Sequence, residues 1–377
     1  MRIVVLGAGR VGAVMARDLA SEDAFEVRVV DRDASRLAWI EERWGIPGER
    51  ADFSLPSTVH RALDDADLAI SAVPGFLGRR TLEAVIETKT NVVDIAFFPE
   101  DPFELDDLAR RHGVTAIVDC GVAPGLSNLL VGHAVRQLNE AHRIAIYVGG
   151  LPSDPQPPYE YRAVFSPIDV IEEYTRPARI VVDGALVTRP ALSDLEAIEI
   201  EGVGTLEAFN TDGLRTLMQT IACPDMVEKT LRYPGHAEKV KLLRETGLFS
   251  EEPVDVDGRD VRPIDLTTAL LFPLWELGPG EEDLTAFRVT VEGLVEGASV
   301  RYDFDMVDRY DPATETTSMA RTTGYTATVA ARLLASGAIS TPGVLAPEML
   351  AADPNHVGFI LEGLAQRGID VRERFTD

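Results

Sequence analysis

The stretch "VVLGAGRVGAV", residues 4–14, decides how the first third of this chain folds. Three apolar residues run into Gly7-Ala8-Gly9-Arg10-Val11-Gly12, a complete Gly-x-Gly-x-x-Gly, and a helical pattern follows at once. Gly7 permits a tight turn, Gly9 lets a pyrophosphate approach the backbone, and Gly12 lets the helix pack closely on the strand. The pyrophosphate then lies at a helix N-terminus, where free N–H groups and the dipole favour anions. Arg10 and Val11 complete the loop. A second strand-like run, "EVRVVD", ends in Asp31, 19 residues after Gly12. A carboxylate there accepts hydrogen bonds from the adenosine ribose and repels a 2′-phosphate, so the pattern favours NAD over NADP. The adjacent Arg32 softens that preference. The alternatives are a flavin site or a fold that no longer binds nucleotide.

Working outward, short apolar runs at 2–6, 26–31, 67–73, 91–97 and 115–120 alternate with helical patterns, and 50–55 is a weaker candidate strand. Apolar strands spaced by helices argue for a doubly wound parallel sheet covered on both faces. The loops "AVPG" at 72–75 and "DIAFFPE" at 94–100 follow strand ends on the rim that faces the cofactor, which brings Val73, Pro74 and Asp94 to it. After about residue 126 the pattern changes. Hairpins are expected at 178–187, turning at Asp183-Gly184, and at 284–310, turning near Glu296-Gly297. The chain therefore reads as α/β. A Rossmann domain at 1–125 is completed by C-terminal helices at about 336–377. A second α+β domain with a largely antiparallel sheet is expected at 126–335.

The formal charge of −26 over 377 residues disfavours nucleic acid and anionic membranes as partners. No apolar run reaches the roughly 18 residues of a spanning helix. Two cysteines make no disulfide framework, and the early start of the first strand leaves no room for a leader, so a cytoplasmic location is expected. There is no Cys-x-x-Cys pair, no His-Glu-x-x-His and no Walker loop, so neither a structural metal nor ATP chemistry is expected. The segment 251–260 reads as a solvated loop.

"AIVDCGVAPGLSNLL", residues 116–130, closes the sixth strand and starts a helix. Its position on the rim directs Asp119, Cys120 and Gly121 towards the nicotinamide half of the cofactor, with the helix N-terminus adding N–H groups. The glycine fingerprint followed by "DCGVAPGLSN" resembles the saccharopine dehydrogenase-like superfamily. "YVGGLPSDPQPPYEYRAVFSPIDVIEEYTRPARI", "LEAFNTDGLRTL" and "TLRYPGHAEKVKLLRETGLF" resemble, within it, the L-lysine 6-dehydrogenases, with the weakest stretch around 252–285.

That resemblance implies oxidation of the ε-amine of L-lysine with NAD, giving 2-aminoadipate 6-semialdehyde, NADH and ammonia. The aldehyde closes to a cyclic imine, a piperideine carboxylate. Only a neutral amine releases hydride, and a free lysine amine has a pKa of about 10.4. Asp119 and then Asp94 are the candidate bases, because both close strands on the rim. His236 is a candidate proton carrier near neutrality, or else a structural residue in the turn before a helix. The substrate carboxylate calls for a guanidinium, from Arg215, Arg176 or Arg321. Its α-ammonium calls for a carboxylate, from Asp212, while Tyr159 borders the proline-rich loop. The rival readings are saccharopine or carboxynorspermidine reduction, and a nucleotide sensor without turnover. Antiparallel strands at 284–310 suggest a homodimer formed by extending a sheet across a two-fold axis.

Overall fold

The structure, a computed structural model, describes residues 1–165, 167–278 and 280–377. The chain forms two units, one of Met1–Gln137 with Ala320–Val371, the other of Leu138–Met319 with Arg372–Asp377. In the first unit six strands follow one another: β1 (Arg2–Leu6), β2 (Glu26–Asp31), β3 (Gly48–Arg50), β4 (Leu68–Ser71), β5 (Asn91–Asp94) and β6 (Thr115–Ile117). A seventh, Gly343–Leu345, comes from far along the chain, and the sheet order is that strand, then β6, β5, β4, β1, β2 and β3. All the pairings are parallel. Val4, Val5, Leu6, Ala69 and Ile70 are fully buried, as strands covered on both faces require.

Two expectations shift. The third strand is Gly48–Arg50, paired to Val29–Asp31, and Asp52–Leu55 turns instead of extending the sheet. The unit boundaries fall at 137 and 320, where the sequence suggested 125 and 335. The helix Leu126–Val135 stays with the first unit because Gly132 lets the Glu348 backbone approach, where a Cβ would come within 2.5 Å of its carbonyl oxygen. The helix Ser318–Ala335 is tied back to the helix Arg10–Leu19 through Asp18. The Asp18 carboxylate accepts from Arg332 (2.7 Å), Arg367 (2.8 Å) and Thr328 (2.5 Å).

The second unit is built on a mixed sheet, ordered 196–200, 204–210, 225–232, 140–152, 283–295, 298–309 and 372–376, with the hairpin 178–189 attached to 225–232. Asp225–Arg232 and Glu140–Pro152 run parallel, and the other pairs are antiparallel. Both expected hairpins are present, and Asp183-Gly184 and Glu296-Gly297 each have positive φ at both turn positions, as the tight two-residue turn needs. Arg372–Thr376 pairs with Arg301–Asp305, so over those residues the strand Ala298–Arg309 is not the edge of the sheet. The segment 251–260 is not a loop: Val254–Val256 and Arg259–Val261 form a two-stranded ribbon. Among the described residues no helix is long and apolar enough to cross a membrane.

Asp18, about a tenth exposed, balances two guanidiniums of similar burial. Replacing it with Asn leaves Arg367 without its carboxylate partner and Arg332 with only the half-exposed Glu22. Asp18→Asn is expected to lower stability by about 3 kcal/mol, measured by urea unfolding at neutral pH.

Candidate active site

The glycine loop has the geometry a dinucleotide requires. Gly7 has φ +114°, and a Cβ on it would lie 2.6 Å from the Ala72 carbonyl oxygen. A Cβ on Gly12 would lie 2.1 Å from the Gly7 carbonyl oxygen, so the helix can sit on the strand only without one. Around Gly9 a Cβ meets nothing within 4 Å, which leaves the face on which a pyrophosphate would rest open. No side chain caps the helix at Gly9. The Asp31 carboxylate is fixed at the end of β2, accepting from Ala8 N (2.6 Å) and Asp33 N (2.8 Å). Its two oxygens retain lone pairs for ribose hydroxyls. Basic groups surround it. Arg32 is exposed, Arg36 Nε donates to Ala8 O (3.2 Å), and Arg50 Nε donates to Arg32 O (3.1 Å). Val73 is buried and Pro74 exposed at the start of the next helix, where Gly75 lies against the Phe97 carbonyl.

The turn after β6 is tighter than its sequence suggests. Asp119 adopts φ +50°, and Gly125 has φ +136° with a would-be Cβ 1.9 Å from the Gly121 oxygen. Gly121 N donates to Pro124 O (3.0 Å), Leu126 N to Gly121 O (2.9 Å) and Ser127 N to Val122 O (3.0 Å). The first amides of the helix are thus consumed by the turn itself and do not face a ligand. Asp94, Asp119 and Cys120 are brought together, with Cys120 N donating to Asp94 O (3.0 Å), and all three are buried. Burial first, then the charges of Asp119 and Asp94, push the Cys120 thiol up to about 12, so it carries no thiolate at neutral pH. Arg321 also lies in this unit, donating to Arg367 O (2.9 Å) with its guanidinium over the Tyr325 ring.

In the second unit His236 is not a proton carrier near neutrality. It is fully buried, with Nδ1 2.8 Å from Tyr159 O and Nε2 2.9 Å from the Tyr174 hydroxyl. A carbonyl only accepts, so Nδ1 carries the proton and Tyr174 donates to Nε2. Burial, reinforced by Arg232, pushes its pKa down to about 3, so the ring is neutral through the physiological range. It belongs to an aromatic core with Tyr161, Tyr174 and Trp275. Tyr159 packs edge-on against Trp275 in the same core. Arg176 pairs with Glu172 one helical turn away.

Asp212 is also engaged. Arg179 holds both its oxygens at 2.8 Å, and the Arg179 backbone amide donates a third bond. Arg215, buried with φ +53°, lies three residues on in the same loop. The residue that sequence reasoning missed is Glu228, which faces this loop from the central strand Asp225–Arg232. Its carboxylate accepts from the Thr211 hydroxyl (2.5 Å), which is 2.9 Å from Thr230 Oγ1. Gly213 leaves room for it, since a Cβ there would meet the carboxyl carbon at 2.5 Å. Among the described residues no cation pairs with Glu228. Burial, helped by Glu173 and Asp212 and opposed by the Thr211 bond, pushes it up to about 8. Neighbouring Arg232 is spent on Glu173 (2.6 Å) and stacks on Tyr161. In sequence, Glu228 sits in a strand of mixed polarity with nothing to distinguish it from a solvent-facing acid.

Comparison with known proteins agrees with this layout. Residues 3–117 match the saccharopine dehydrogenase NADP binding domain, and residues 121–369 match the saccharopine dehydrogenase C-terminal domain. The NADP-dependent, L-glutamate-forming saccharopine dehydrogenase of Schizosaccharomyces pombe is 23% identical, over 100% of this chain and 99% of its own. The same-named enzyme of Saccharomyces cerevisiae is 25% identical over 75% of this chain, a match that spans 66% of that enzyme's length. A solved structure of the L-Glu-forming saccharopine dehydrogenase from Saccharomyces cerevisiae shares the fold, with a TM-score of 0.83, 20% identity and 100% of both chains covered. A parallel dinucleotide-binding sheet, a mostly antiparallel second sheet and matches to both domain models make this chain a member of the saccharopine dehydrogenase family.

Proposed function

We propose that this protein is a nicotinamide-dependent amino-acid dehydrogenase, and that its reaction is NAD-linked oxidative deamination of the ε-amine of L-lysine. One observation carries the choice of substrate. The polar cluster around the 210–215 loop holds three acids, Glu173, Asp212 and Glu228, and Glu228 faces no cation among the described residues. An amine offers that carboxylate a counter-charge, whereas a substrate with several carboxylates would add to the repulsion.

In the reaction, protonated lysine, NAD and water give the semialdehyde, ammonium, NADH and a proton. A bound nicotinamide supplies the hydride acceptor. The chain's own residues do the rest. The amides at Gly9 and Arg10 would hold the pyrophosphate, and Asp31 would orient the adenosine ribose. Glu228, and not Asp212, takes the α-ammonium, while Asp212 fixes Arg179 and holds the loop. Arg215 meets the α-carboxylate from the same loop. Asp119 and Asp94 are buried at the strand-end rim of the first unit, beside the cofactor loop of that unit. Cys120 and His236 move no proton.

A second reading has its own support. Arg32, Arg36 and Arg50 beside Asp31 suit a 2′-phosphate, and the yeast relatives bear NADP in their names. Under that reading the substrate is saccharopine. Lysine and saccharopine, each offered with NAD and NADP, separate the two by absorbance at the NADH band. Lysine with NAD is expected to turn over, with a rate that climbs from pH 7 to 10. Turnover of saccharopine alone would sink the lysine assignment. Asp31→Ala is expected to raise KM for NAD about 10- to 100-fold and to narrow the preference over NADP, read from KM with each cofactor.

Glu228→Gln removes a charge-assisted contact worth about 2 kcal/mol, so KM for lysine should rise roughly 30-fold with kcat much less affected. The part of the rise in kcat/KM through pH 8 that Glu228 contributes should vanish in the variant, leaving the rise set by the substrate amine. Stability gives an independent check. A folded-state pKa raised to about 8 means the folded protein keeps a proton that the unfolded chain has lost, so stability falls between about pH 4.5 and 8. Glu228→Gln should therefore melt several degrees higher than wild type at pH 8 and lose that advantage below pH 4.5.

A further inference from the structure

The sheet of the second unit curls. The strand Glu196–Ile200 stands first in its order, yet Arg288 and Arg309, from strands four and five places along, donate to Glu199 O (3.2 Å) and Gly202 O (2.8 Å). The Tyr147 hydroxyl, from a strand between them, donates to Glu196 (3.2 Å). Tyr147, Leu206, Leu231 and Ala286 fill the concave face. At one end of this trough is a cavity of about 350 Å³, within the ordinary size of a small-molecule site. Val181, Val182, Met226 and Val227 give it an apolar wall, and Arg143, Asp194, Glu196, Asn210, Asp225 and Lys229 give it a polar one. Two of the polar groups lack a partner. Asn210 is fully buried, and its amide nitrogen donates to Ser193 Oγ (3.1 Å) and Asp194 Oδ2 (2.7 Å). Its oxygen must therefore accept, yet among the described residues nothing donates to that buried Oδ1. A buried acceptor without a donor is uncommon. Arg143 is exposed and makes no ion pair among the described residues. Lys229, by contrast, is spent on Glu196 (2.8 Å) and Asp194 O (2.5 Å).

We propose that this cavity is a second ligand site, for a basic α-amino acid of the lysine class, and that filling it steadies the 210–215 loop. Strand register sets its groups in a row. Arg143 and Asp225 are partners on neighbouring strands, Val227 follows on the same face, and Lys229 beside Asn210 ends the row. Asp225 to Lys229 spans about 13 Å of strand. A hydrogen bond of about 2.9 Å at each end leaves about 7 Å for the ligand, the reach of an amino acid whose side chain carries an amine at the end of a butyl chain. The head group meets opposite charges side by side. Its carboxylate takes the Arg143 guanidinium, and its α-ammonium takes Asp225, which has given one oxygen to Asp183 N (3.2 Å) and keeps the other. The methylenes lie along Val227 and Val181. The far ammonium donates to Asn210 Oδ1 and to Asp194, and offsets the surplus of acid there, Asp194 and Glu196 against Lys229. The link to the loop is short. Asn210 precedes Thr211, whose hydroxyl holds Glu228, and Ile180 follows Arg179, which holds Asp212. That link, though not the site itself, rests on the substrate reading above.

The test is calorimetry on the full chain with NADH present, which prevents turnover. L-Lysine is expected to bind at two sites. Arg143→Ala should abolish one and Arg143→Lys should restore it in part, while Glu228→Gln weakens the other. Norleucine lacks the far amine, cadaverine lacks the carboxylate, and 2,3-diaminopropionate is too short to span the row. Each should bind the Arg143 site about tenfold more weakly than lysine, having lost a charge-assisted contact. Circular dichroism checks that each variant is folded. With the cavity unable to fill, Arg143→Ala should raise KM for lysine about fivefold at unchanged kcat. Lysine binding that ignores Arg143→Ala would overturn the proposal, as would norleucine matching lysine at the Arg143 site. An unchanged KM would overturn the link to the loop. A single lysine site, lost in Arg143→Ala and indifferent to Glu228→Gln, would uphold the cavity as a site and count against the substrate reading above.

Discussion

The first unit depends on two missing atoms. A Cβ on Gly12 would overlap the Gly7 carbonyl oxygen and one on Gly7 would overlap that of Ala72, and these two approaches fix where the first helix starts. With the helix seated there, its free amides open at Gly9, Ala8 N reaches the Asp31 carboxylate, and β1 and β2 end at one level. The order of the sheet follows from short right-handed crossovers around β1. A larger side chain at either glycine would shift the helix as a rigid rod, because helix and strand are in contact along their length and cannot yield locally.

The second unit is organised around a different constraint, the need to neutralise charge away from water. Arg232 is 1% exposed and is held by Glu173, by its own neighbour's carbonyl and by the Tyr174 oxygen, with Tyr161 beneath it. Tyr174 in turn donates to His236. The expense of burying a guanidinium is met only because each of its donor groups has a partner. This explains why His236, conspicuous in sequence as the lone histidine of its motif, is a framework residue. Its two ring nitrogens are needed to complete the aromatic core, and a charge on it would face Arg232.

What the sequence made legible was what local rules govern. The parallel strands, the glycine loop with Asp31 at its proper distance, and both tight hairpins follow from periodicity and turn chemistry over fewer than about 30 residues. The seventh strand at 343–345 was not legible, since three residues carry no period and their partner, β6, is more than 200 positions away. The same holds for Arg372–Thr376, whose exposed edge position leaves no alternation to read. At the candidate site, the strand-end position of Asp94 and Asp119 was legible but their burial was not, because burial depends on the turn that folds back through Gly125. Which carboxylate lacks a cation was equally hidden: Asp212 meets Arg179 from 33 residues earlier, a pairing no local pattern encodes.

That last point bears on how substrate sites arise in such a framework. An acid with a guanidinium on both oxygens is electrostatically complete, so it shapes the loop and has little left to offer a ligand. An acid buried with a hydroxyl and a backbone amide for partners but no cation is favoured in its protonated form by its surroundings until a cation arrives. Bringing an ammonium beside Glu228 would return its pKa towards the ordinary carboxylate range, so substrate binding at neutral pH would release a proton. Asp212 is already held on both oxygens by Arg179. Proton release on binding therefore separates the two acids by a quantity that neither sequence nor contact geometry alone supplies.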